Sequence, residues 1–344
     1  MKKVAVVILN WNGEKFLRQF LPGVVQHSED LADIWVIDNA SDDGSLSYLR
    51  EHHPTVRWHR FEKNHGYARG YNLSMEYVSN EFVVLLNSDV EVTPGWIQPV
   101  IDYMADDQLA ACQPSIMDFK ERQTFEYAGA AGGFVDKDGY VFCAGRIFNA
   151  FEKDEGQYGP RQEVFWASGA ALFVRRDAYI EVGGFDEDFY AHMEEIDLCW
   201  RMKNRGYRVG ACRTSHVFHV GGGTLDRLSP FKTFLNFRNN LYLLVKNYQE
   251  GPLLLKMLKR QVLDGVAAVH FCTEGKFNYA FAVLKAHFSY YRHLRTCLRK
   301  RRLELKATRN RNICGLYNGS IVSDFFIRKK HRFSLLDKEK FNAR

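Results

Sequence analysis

Three acidic side chains lie close together in one segment of the sequence: Glu194, Glu195 and Asp197. A carboxylate can act as a general base, which takes the proton from a hydroxyl group as that hydroxyl attacks a substrate. The structural alternative is the start of a helix, where acidic residues interact favourably with the macrodipole. The macrodipole accounts for one or two of the three carboxylates. The functional hypothesis is therefore that one of them is a general base.

Another carboxylate, Asp89, follows five consecutive apolar residues at 82–86. A short apolar run bounded by polar residues is typical of a strand that is buried on both faces, as in a parallel sheet. Ligands of open α/β sheets bind beyond the carboxyl ends of the strands, which is where Asp89 is expected. Asp also favours helix caps and turns, and this segment alone does not decide between the two roles.

Two histidines, His216 and His219, are three residues apart and are followed by three glycines at 221–223. Imidazole nitrogens bind divalent metals, although a lone pair of histidines is more often structural. The glycines indicate a close approach of the backbone or a flexible loop. The histidines are therefore candidate metal ligands with a structural alternative.

The elements that must position these side chains alternate between strands and helices in the first half of the chain. Apolar runs predict strands at 4–9, 34–38, 56–61 and 82–86, and helical spacing occurs at 16–25, 46–51 and 65–78. Strands separated by helices of this length predict right-handed crossovers and a parallel sheet. The sequence therefore predicts an α/β fold.

Polar residues stand at the ends of three predicted strands. Asn10 and Asn12 follow the first strand, Asp38 ends the second, and residues 87–89 follow the fourth. In a parallel sheet they form a crevice able to hold a nucleotide, with Asp38 at the base or ribose and Asp89 at a metal-bound diphosphate. No GxGxxG and no GxxxxGK[ST] motif is present, which argues against a dinucleotide dehydrogenase and a P-loop hydrolase.

Length and composition set further limits. The 344 residues are 46% hydrophobic and 14% aromatic, enough for one large α/β domain with an appendage. The seven cysteines are scattered and form no CxxC pair, which favours reduced thiols in the cytosol. The apolar run after the N-terminal lysines is too short for the core of a signal peptide and is better explained as the first strand.

Charge is distributed unevenly along the chain, whose net charge is +6. Residues 251–344 carry 21 basic and 6 acidic side chains, whereas the first 250 residues carry 26 basic and 35 acidic ones. A basic tail is compatible with nucleic acid, with an anionic membrane or with a solvated surface. The two parts of the chain are therefore expected to have different partners.

Six motifs together resemble those of glycosyltransferase family 2, whose members are inverting enzymes of the GT-A fold that use a nucleotide-sugar donor. The motifs are VVILNWNG (6–13), VIDNASDDGS (36–45), NHGYARGYN (64–72), LLNSDVEV (85–92), WASGAALFVRR (166–176) and GGFDEDFYAHMEEIDLCWRMKNRGYRV (183–209). They cover roughly the first two thirds of the chain, and their ordered combination is specific. The chain is also similar to the subgroup often labelled rhamnosyltransferases.

The resemblance implies roles for individual residues. The donor site would consist of Asn10, Asn12, Asp38, Asn64, Gly66, Arg69, Asn72, Asn87 and Ser88. Asp89 and His219 would hold a divalent metal, Mg2+ or Mn2+, although Asn87 stands where the DxD motif of the family has its first Asp. The acceptor site would include Trp166, Ser168, Gly169, Glu194 and Asp197. Glu195 would be the catalytic base, as the second residue of the ED pair of the family, with Glu in place of Asp.

The sequence thus predicts an inverting hexosyl- or deoxyhexosyltransferase. It would move a sugar from a nucleoside-diphosphate sugar to a hydroxyl of a glycan or lipid-linked acceptor, in cell-surface polysaccharide synthesis. A sugar nucleotidyltransferase is one alternative, but Lys15 is the only basic candidate in the first loop for activating a triphosphate. A nucleic-acid-binding protein is the other, and the acidic first 250 residues argue against it.

The predicted organisation is a catalytic GT-A domain at 1–230 and a basic helical region at 231–344. Helical segments are expected at 252–271 and 277–306, neither apolar enough to span a membrane. Lys256, Lys259 and Arg260 fall on one side of the first segment, which is typical of a helix lying on an anionic membrane. We expect a peripheral protein on the cytoplasmic face of the membrane; a helical lid and a contact between copies of the chain are the alternatives.

Overall fold

The computed structural model describes residues 2–221, 229–311 and 313–342. The strands are β1 (Val4–Asn10), β2 (Ala32–Asp38), β3 (Arg57–Arg60), β4 (Phe82–Leu86), β5 (Val90–Val92), β6 (Leu109–Asp118), β7 (Gly133–Asp136), β8 (Val141–Cys143), β9 (Arg146–Ile147), β10 (Ala150–Phe151), β11 (Arg161–Glu163), β12 (Ala171–Arg175), β13 (Arg208–His219) and β14 (Leu316–Tyr317). The helices are α1 (Glu14–Ser28), α2 (Ser45–His52), α3 (Gly66–Ser74), α4 (Gln98–Tyr103), α5 (Arg176–Glu181), α6 (Glu194–Asn204), α7 (Pro230–Asn247), α8 (Leu253–Thr273) and α9 (Phe277–Ala307).

A nine-stranded sheet forms the centre of the molecule, with the order β11-β13-β6-β12-β4-β1-β2-β3 and with β5 paired to β13. Six of its strands (β1, β2, β3, β4, β6 and β13) run in the same direction, whereas β5, β11 and β12 run in the opposite one. The expected α/β fold with a mostly parallel sheet is confirmed.

Successive side chains of β1 point to opposite faces of the sheet, and both faces are buried, which explains why the strand is apolar without interruption. Val4, Val6 and Ile8 pack into one hydrophobic core, and Ala5 and Val7 pack into the other. Helices cover both faces of the sheet, with α1, α2 and α4 on the first core and α3, α5 and α6 on the second. A strand buried on both faces has no position for a polar side chain until it leaves the sheet.

The carboxyl ends of β1, β2 and β4 lie at the same edge of the central sheet. Asn10 pairs with Asp38 in the register of β1 and β2, and Ile8 pairs with Leu86 in the register of β1 and β4. Because β12 runs in the opposite direction, its first residue, Ala171, also lies at this edge. The polar segments after β1, β2 and β4 and the segment before β12 therefore meet there.

A second, five-stranded sheet has the order β10-β9-β8-β7-β14. The sequence analysis did not predict this sheet, whose strands are only two to four residues long. Its last strand comes from the C-terminal region, since Leu316 pairs with Val135. The region after residue 230 therefore contributes a strand to a sheet whose other strands precede that boundary.

The three long helices pack against one another and against the central domain. Ser229 caps α7 through its hydroxyl, which accepts a hydrogen bond of 3.1 Å from the amide of Lys232, and Pro230 occupies the first turn. α8 and α9 form an antiparallel hairpin at nearly the predicted bounds. None of the helices in the described ranges is long and apolar enough to cross a membrane.

Candidate active site

The loops after β1 and β2 are joined by hydrogen bonds among the predicted donor residues. The side-chain amide of Asn10 donates to Asp38 Oδ1 at 3.1 Å, and the amide of Ser41 donates to Asp38 Oδ2 at 3.0 Å. The main-chain amide of Asn12 donates to Ser41 Oγ at 2.9 Å. Asn10 and Asp38 are completely buried, so their polar atoms shape the floor of the crevice.

Asn64 and Gly66 lie beside this floor. The Asn39 side chain donates to Asn64 Oδ1 at 2.9 Å and accepts from the amide of His65 at 2.8 Å. Gly66 begins α3 with a φ of 74°, a conformation that favours glycine. Asn39 thus connects the end of β2 to the start of α3 and fixes the predicted donor segment against the sheet edge.

The other two predicted donor residues on α3 contact the segment that precedes α6. Asn72 accepts hydrogen bonds from the amide of Phe185 at 2.8 Å and the hydroxyl of Tyr179 at 2.7 Å, and it donates to the carbonyl of Phe185 at 2.9 Å. Arg69 forms an ion pair of 3.2 Å with Glu187. Both polar atoms of the Asn72 amide are thus engaged within the chain, and its contact with the donor stays a prediction.

The predicted metal ligands Asp89 and His219 lie next to each other. His219 Nε2 lies 3.3 Å from Asp89 Oδ1, and His219 Nδ1 lies 3.2 Å from Glu126 Oε2. All three side chains are buried. Glu126, which the sequence analysis did not identify, holds the imidazole so that Nε2 points at Asp89. His216 instead lies 3.6 Å from Asp154; Gly222 and Gly223 are outside the described residues.

The chemistry of these side chains fits a divalent cation. Burial alone lowers the pKa of His219, but hydrogen bonds with Asp89 and Glu126 outweigh it and raise the pKa to about 10. A metal at Nε2 replaces that proton, and an Nδ1–H donated to a carboxylate is the usual support for a metal-binding histidine. The described residues contain no group of three or more His, Cys, Asp or Glu placed to hold a metal. Asp89 and His219 are therefore two candidate ligands of such an ion.

Glu194 and Glu195 begin α6, and one carboxylate oxygen of each, Oε2, is buried without a hydrogen-bond partner. Burial raises the pKa of Glu194 well above its usual value, and the neighbouring Glu195 raises it further. Burial also raises the pKa of Glu195, to about 7, although main-chain amides lower it in part. Burial thus favours the protonated form of both carboxyls, and Glu195, whose pKa lies near neutrality, is the one suited to exchange a proton at pH 7.

Tyr67 connects this pair to the rest of the crevice. Its hydroxyl donates to the carbonyl of Gly169 at 2.9 Å and lies 3.4 Å from Asn87 Oδ1. A Cβ added at Gly169 would lie 2.9 Å from that hydroxyl and 3.9 Å from the Cβ of Glu195. Burial raises the pKa of Tyr67, so it stays a neutral donor. Glu195, Gly169 and Asn87, all predicted site residues, are thus neighbours of one tyrosine that the sequence analysis did not select.

Ser88 is close to the first loop as well. A Cβ added at Gly13 would lie 2.4 Å from Asn10 Oδ1 and 3.6 Å from Ser88 Oγ, so only glycine fits at this point of the first loop. The ends of β1 and β4 therefore approach each other closely, as the parallel register requires.

Three predicted acceptor residues have structural contacts instead. Trp166 is buried and donates from Nε1 to the carbonyl of Phe134 at 3.1 Å. Ser168 is buried too, and its hydroxyl donates to the carbonyl of Ala128. Asp197 is completely buried, and Arg201 and Lys246 form ion pairs with it. All three side chains are thus buried and held by contacts within the chain, and their contacts with an acceptor stay predictions.

The ion pairs of Asp197 extend to the C-terminal helices. Lys246 of α7 lies 2.9 Å from Asp197 and 2.7 Å from Asp186. Lys300 of α9 lies 2.5 Å from Asp186 and 2.6 Å from Asp188. Lys300 belongs to the basic run 299–302, so part of the charge that suggested an external anionic partner neutralises acids of this chain. The C-terminal helices therefore help to hold the segment that leads into Glu194 and Glu195.

Comparison with known proteins identifies relatives of this chain. The family model described as glycosyl transferase family 2 matches residues 5–183. The N-acetylglucosaminyl-diphospho-decaprenol L-rhamnosyltransferase of Mycobacterium tuberculosis is 26% identical in an alignment 247 residues long that covers 62% of this chain and 75% of that protein. A low-salt glycan biosynthesis hexosyltransferase of Haloferax volcanii is 22% identical over 243 residues, covering 69% and 73% of the two chains.

Solved structures share the fold. A crystal structure of GalNAc-T7 with UDP, GalNAc and Mn2+ superposes with a TM-score of 0.54 at 17% identity; the match covers 73% of this chain and only 49% of that one. A mannosyltransferase of Pyrobaculum calidifontis in complex with GDP-Man and Mn2+ gives a TM-score of 0.53 at 15% identity, over 89% and 86% of the two chains. The predicted GT-A architecture with C-terminal helices is confirmed.

Proposed function

The chain belongs to glycosyl transferase family 2, and we propose that it transfers a sugar, with inversion, from a nucleoside-diphosphate sugar to a hydroxyl group of its acceptor. The observation that carries this proposal is the state of Glu195. Its Oε2 is buried without a partner, its pKa is raised to about 7, and it adjoins the edge of the sheet that carries Asp89 and His219.

Glu195 would act as the general base. An acceptor hydroxyl is a poor nucleophile at neutral pH, and a positioned carboxylate that takes its proton accelerates attack by typically ~100- to 10,000-fold. The acceptor oxygen forms a bond to the anomeric carbon while the bond from that carbon to the phosphate oxygen breaks. The proton moves to Glu195 and the electron pair leaves with the diphosphate. One base and one in-line displacement give inversion at the anomeric carbon.

The donor would lie along the crevice formed by Asn10, Asp38, Asn64 and Asn87. A divalent ion, Mg2+ or Mn2+, would be held by Asp89 and His219, with Glu126 supporting the imidazole, and would neutralise charge on the departing diphosphate. Support for the ion comes from the paired ligands, and the two superposed structures were determined with Mn2+.

For the acceptor we propose a lipid-linked sugar and for the donor a hexose or deoxyhexose, in the synthesis of a surface polysaccharide. This finer statement draws support from the printed names of the relatives, one a rhamnosyltransferase that uses a decaprenol-linked N-acetylglucosamine and one a hexosyltransferase of glycan synthesis. It depends on likeness at 26% and 22% identity, so it is a separate proposal from the reaction itself.

The reaction is tested by incubating the full chain with a panel of nucleotide sugars and simple glycoside acceptors, with Mn2+, with Mg2+ or with a chelator. We expect release of nucleoside diphosphate from one donor, only when metal is present, and an inverted anomeric configuration in the product by NMR. Glu195→Gln should abolish transfer and still bind donor, whereas the exposed Glu155→Gln should behave as wild type.

Other outcomes would contradict the proposal in distinct ways. Full activity in the presence of the chelator would show that transfer does not require a metal ion. If Glu195→Gln is active and Glu194→Gln is inactive, the general base is Glu194 and not Glu195. Release of pyrophosphate from a nucleoside triphosphate and a sugar phosphate would identify a nucleotidyltransferase instead.

A further inference from the structure

The α8–α9 hairpin exposes large apolar side chains on its outer face. On α8, Leu255, Leu258 and Val262 are 65%, 51% and 67% exposed. On α9, Phe281, Leu284 and Phe288 are 68%, 63% and 73% exposed. Their spacing of three and four residues places each set on one side of its helix. A continuous apolar surface of this kind is unusual on a protein that meets only water.

The inner face of α8 carries charged residues, the reverse of an ordinary surface helix, whereas the buried residues of α9 are mostly apolar. Lys259 forms an ion pair of 2.6 Å with Asp138, and the buried Arg260 forms one of 2.8 Å with Asp264. His287 of α9 lies 3.1 Å from the same Asp264. The predicted arrangement, with the basic side of α8 on a membrane, does not hold for Arg260, which is buried, and Lys259 is exposed but pairs with Asp138. The apolar residues of α8 are the ones that face outward.

The outer face of α9 changes character along its length. After Tyr291 the same spacing continues with Arg295, Arg299 and Arg302, and all three are exposed. One helix side is therefore apolar in its first half and basic in its second. The acids of the hairpin have partners within the chain: Asp264 is buried, Glu304 pairs with Arg205 at 2.8 Å, and the exposed Glu274, between the two helices, pairs with Lys276 at 2.9 Å.

We propose that the α8–α9 hairpin lies in the interface of a bilayer that contains anionic lipid. The apolar half of its outer face would be buried among acyl chains, and the three arginines would contact headgroup phosphates. A second copy packed hairpin to hairpin could cover the apolar half, but the exposed acid of the hairpin, Glu274, already pairs with Lys276 and would not neutralise three arginines. A bilayer with anionic headgroups satisfies both halves, and this inference does not depend on the proposed function.

Vesicle sedimentation of the full chain tests the proposal. Wild type should sediment with vesicles of phosphatidylcholine and phosphatidylglycerol, much less with phosphatidylcholine alone, and less at high salt. Phe281→Asp with Phe288→Asp should abolish sedimentation. Arg295→Glu with Arg299→Glu should weaken binding to anionic vesicles roughly 25-fold or more, at about fivefold for each charge near the surface. All four positions are exposed, and melting by circular dichroism checks folding.

Matched controls change the same chemistry elsewhere on the surface. Leu31→Asp with Ile180→Asp alters two exposed apolar residues, and Arg50→Glu with Lys153→Glu reverses two exposed charges; both should sediment as wild type does. Absence of sedimentation with either vesicle overturns the proposal, as does equal sedimentation with both. A dimer in analytical ultracentrifugation that the phenylalanine variant dissociates, without vesicle binding, would show that the face contacts a second copy.

Discussion

The side-chain amide nitrogen of Asn239, on α7, lies 2.7 Å from the main-chain carbonyl oxygen of His192. The same nitrogen lies 2.8 Å from the carbonyl of Ala191. Tyr190, His192 and Met193 all have φ near +70°, a conformation that costs a residue other than glycine roughly 1–3 kcal/mol. Asn239 thus stabilises a strained turn that ends directly before Glu194 and Glu195.

We predict that Asn239→Ala lowers kcat by up to ~100-fold while the donor KM changes little, because a small displacement of a base is enough to slow proton transfer. The matched control is Asn240→Ala: Asn240 is equally buried on the same helix, but donates to Gly139 at 2.7 Å, away from the turn. Steady-state kinetics and thermal melting separate the two effects. Equal losses of kcat in both variants would show that Asn239 contributes only to folding.

Strand positions and the sheet edge could be predicted from the sequence because they depend on local signals. The residues of β1, β2 and β4 are mostly apolar because these strands are buried in the sheet, and each is followed or ended by polar residues. Parallel pairing then brings Asn10 beside Asp38 without any further information. The pairing of Asp89 with His219 was implied by family resemblance, and the structure brings the two side chains together.

Glu126, Asn239 and the orientation of α8 could not be predicted in this way. Glu126 lies in a loop and meets His219 only through the fold, 93 residues away in sequence. α8 has an apolar and a basic side by spacing, but spacing does not state which side packs inward. That choice depends on groups outside the helix: Asp138 pairs with Lys259, and the carbonyl of Gly139 accepts a hydrogen bond from Arg260.

Asp197 is predicted to stabilise the fold without contacting acceptor. Burial raises its pKa, but Arg201 and Lys246 outweigh burial and lower the pKa below its ordinary value. Asp197→Asn leaves two buried cations without their shared carboxylate and should reduce the free energy of unfolding by ~3–5 kcal/mol. Denaturant unfolding measures it, with the exposed Asp177→Asn as the control. A raised acceptor KM at unchanged stability would restore the acceptor role.

Glu126 is predicted to tune the metal site through His219. Glu126→Gln keeps the size of the side chain but removes the charge that orients the imidazole, so the affinity for Mn2+ should fall by ~10–100-fold. Activity at saturating Mn2+ should recover most of its wild-type value, a readout that a folding defect would not give. Asp89→Ala should stay inactive at any metal concentration. Recovery of both variants, or of neither, would contradict this division of roles.

The transfer rate should depend on pH through Glu195. A base works when it is deprotonated, so kcat/KM should rise with pH, with an apparent pKa of about 7, and level off above it. Glu194, Tyr67, Cys143 and Cys199 are titratable groups that interact with its charge, and the pKa of each is raised, mainly by burial. If kcat/KM does not change between pH 5 and pH 9, Glu195 does not accept the proton of the acceptor hydroxyl.

The same pKa makes a prediction about stability. Because the pKa of Glu195 in the folded protein, about 7, exceeds its ordinary value of 4.5, the folded state holds a proton that the unfolded state has lost between these two pH values. Ionisation of Glu195 therefore lowers the free energy of unfolding. The loss is absent below pH 4.5, grows between pH 4.5 and about pH 7, and is complete above that. Glu195→Gln should raise the free energy of unfolding by ~1–3 kcal/mol at pH 8 and hardly change it at pH 4.5. Urea unfolding at the two pH values measures the difference, with Glu155→Gln as the exposed control. A variant less stable than wild type at pH 8 would show that the Glu195 carboxylate is held by favourable contacts and is not poised to accept a proton.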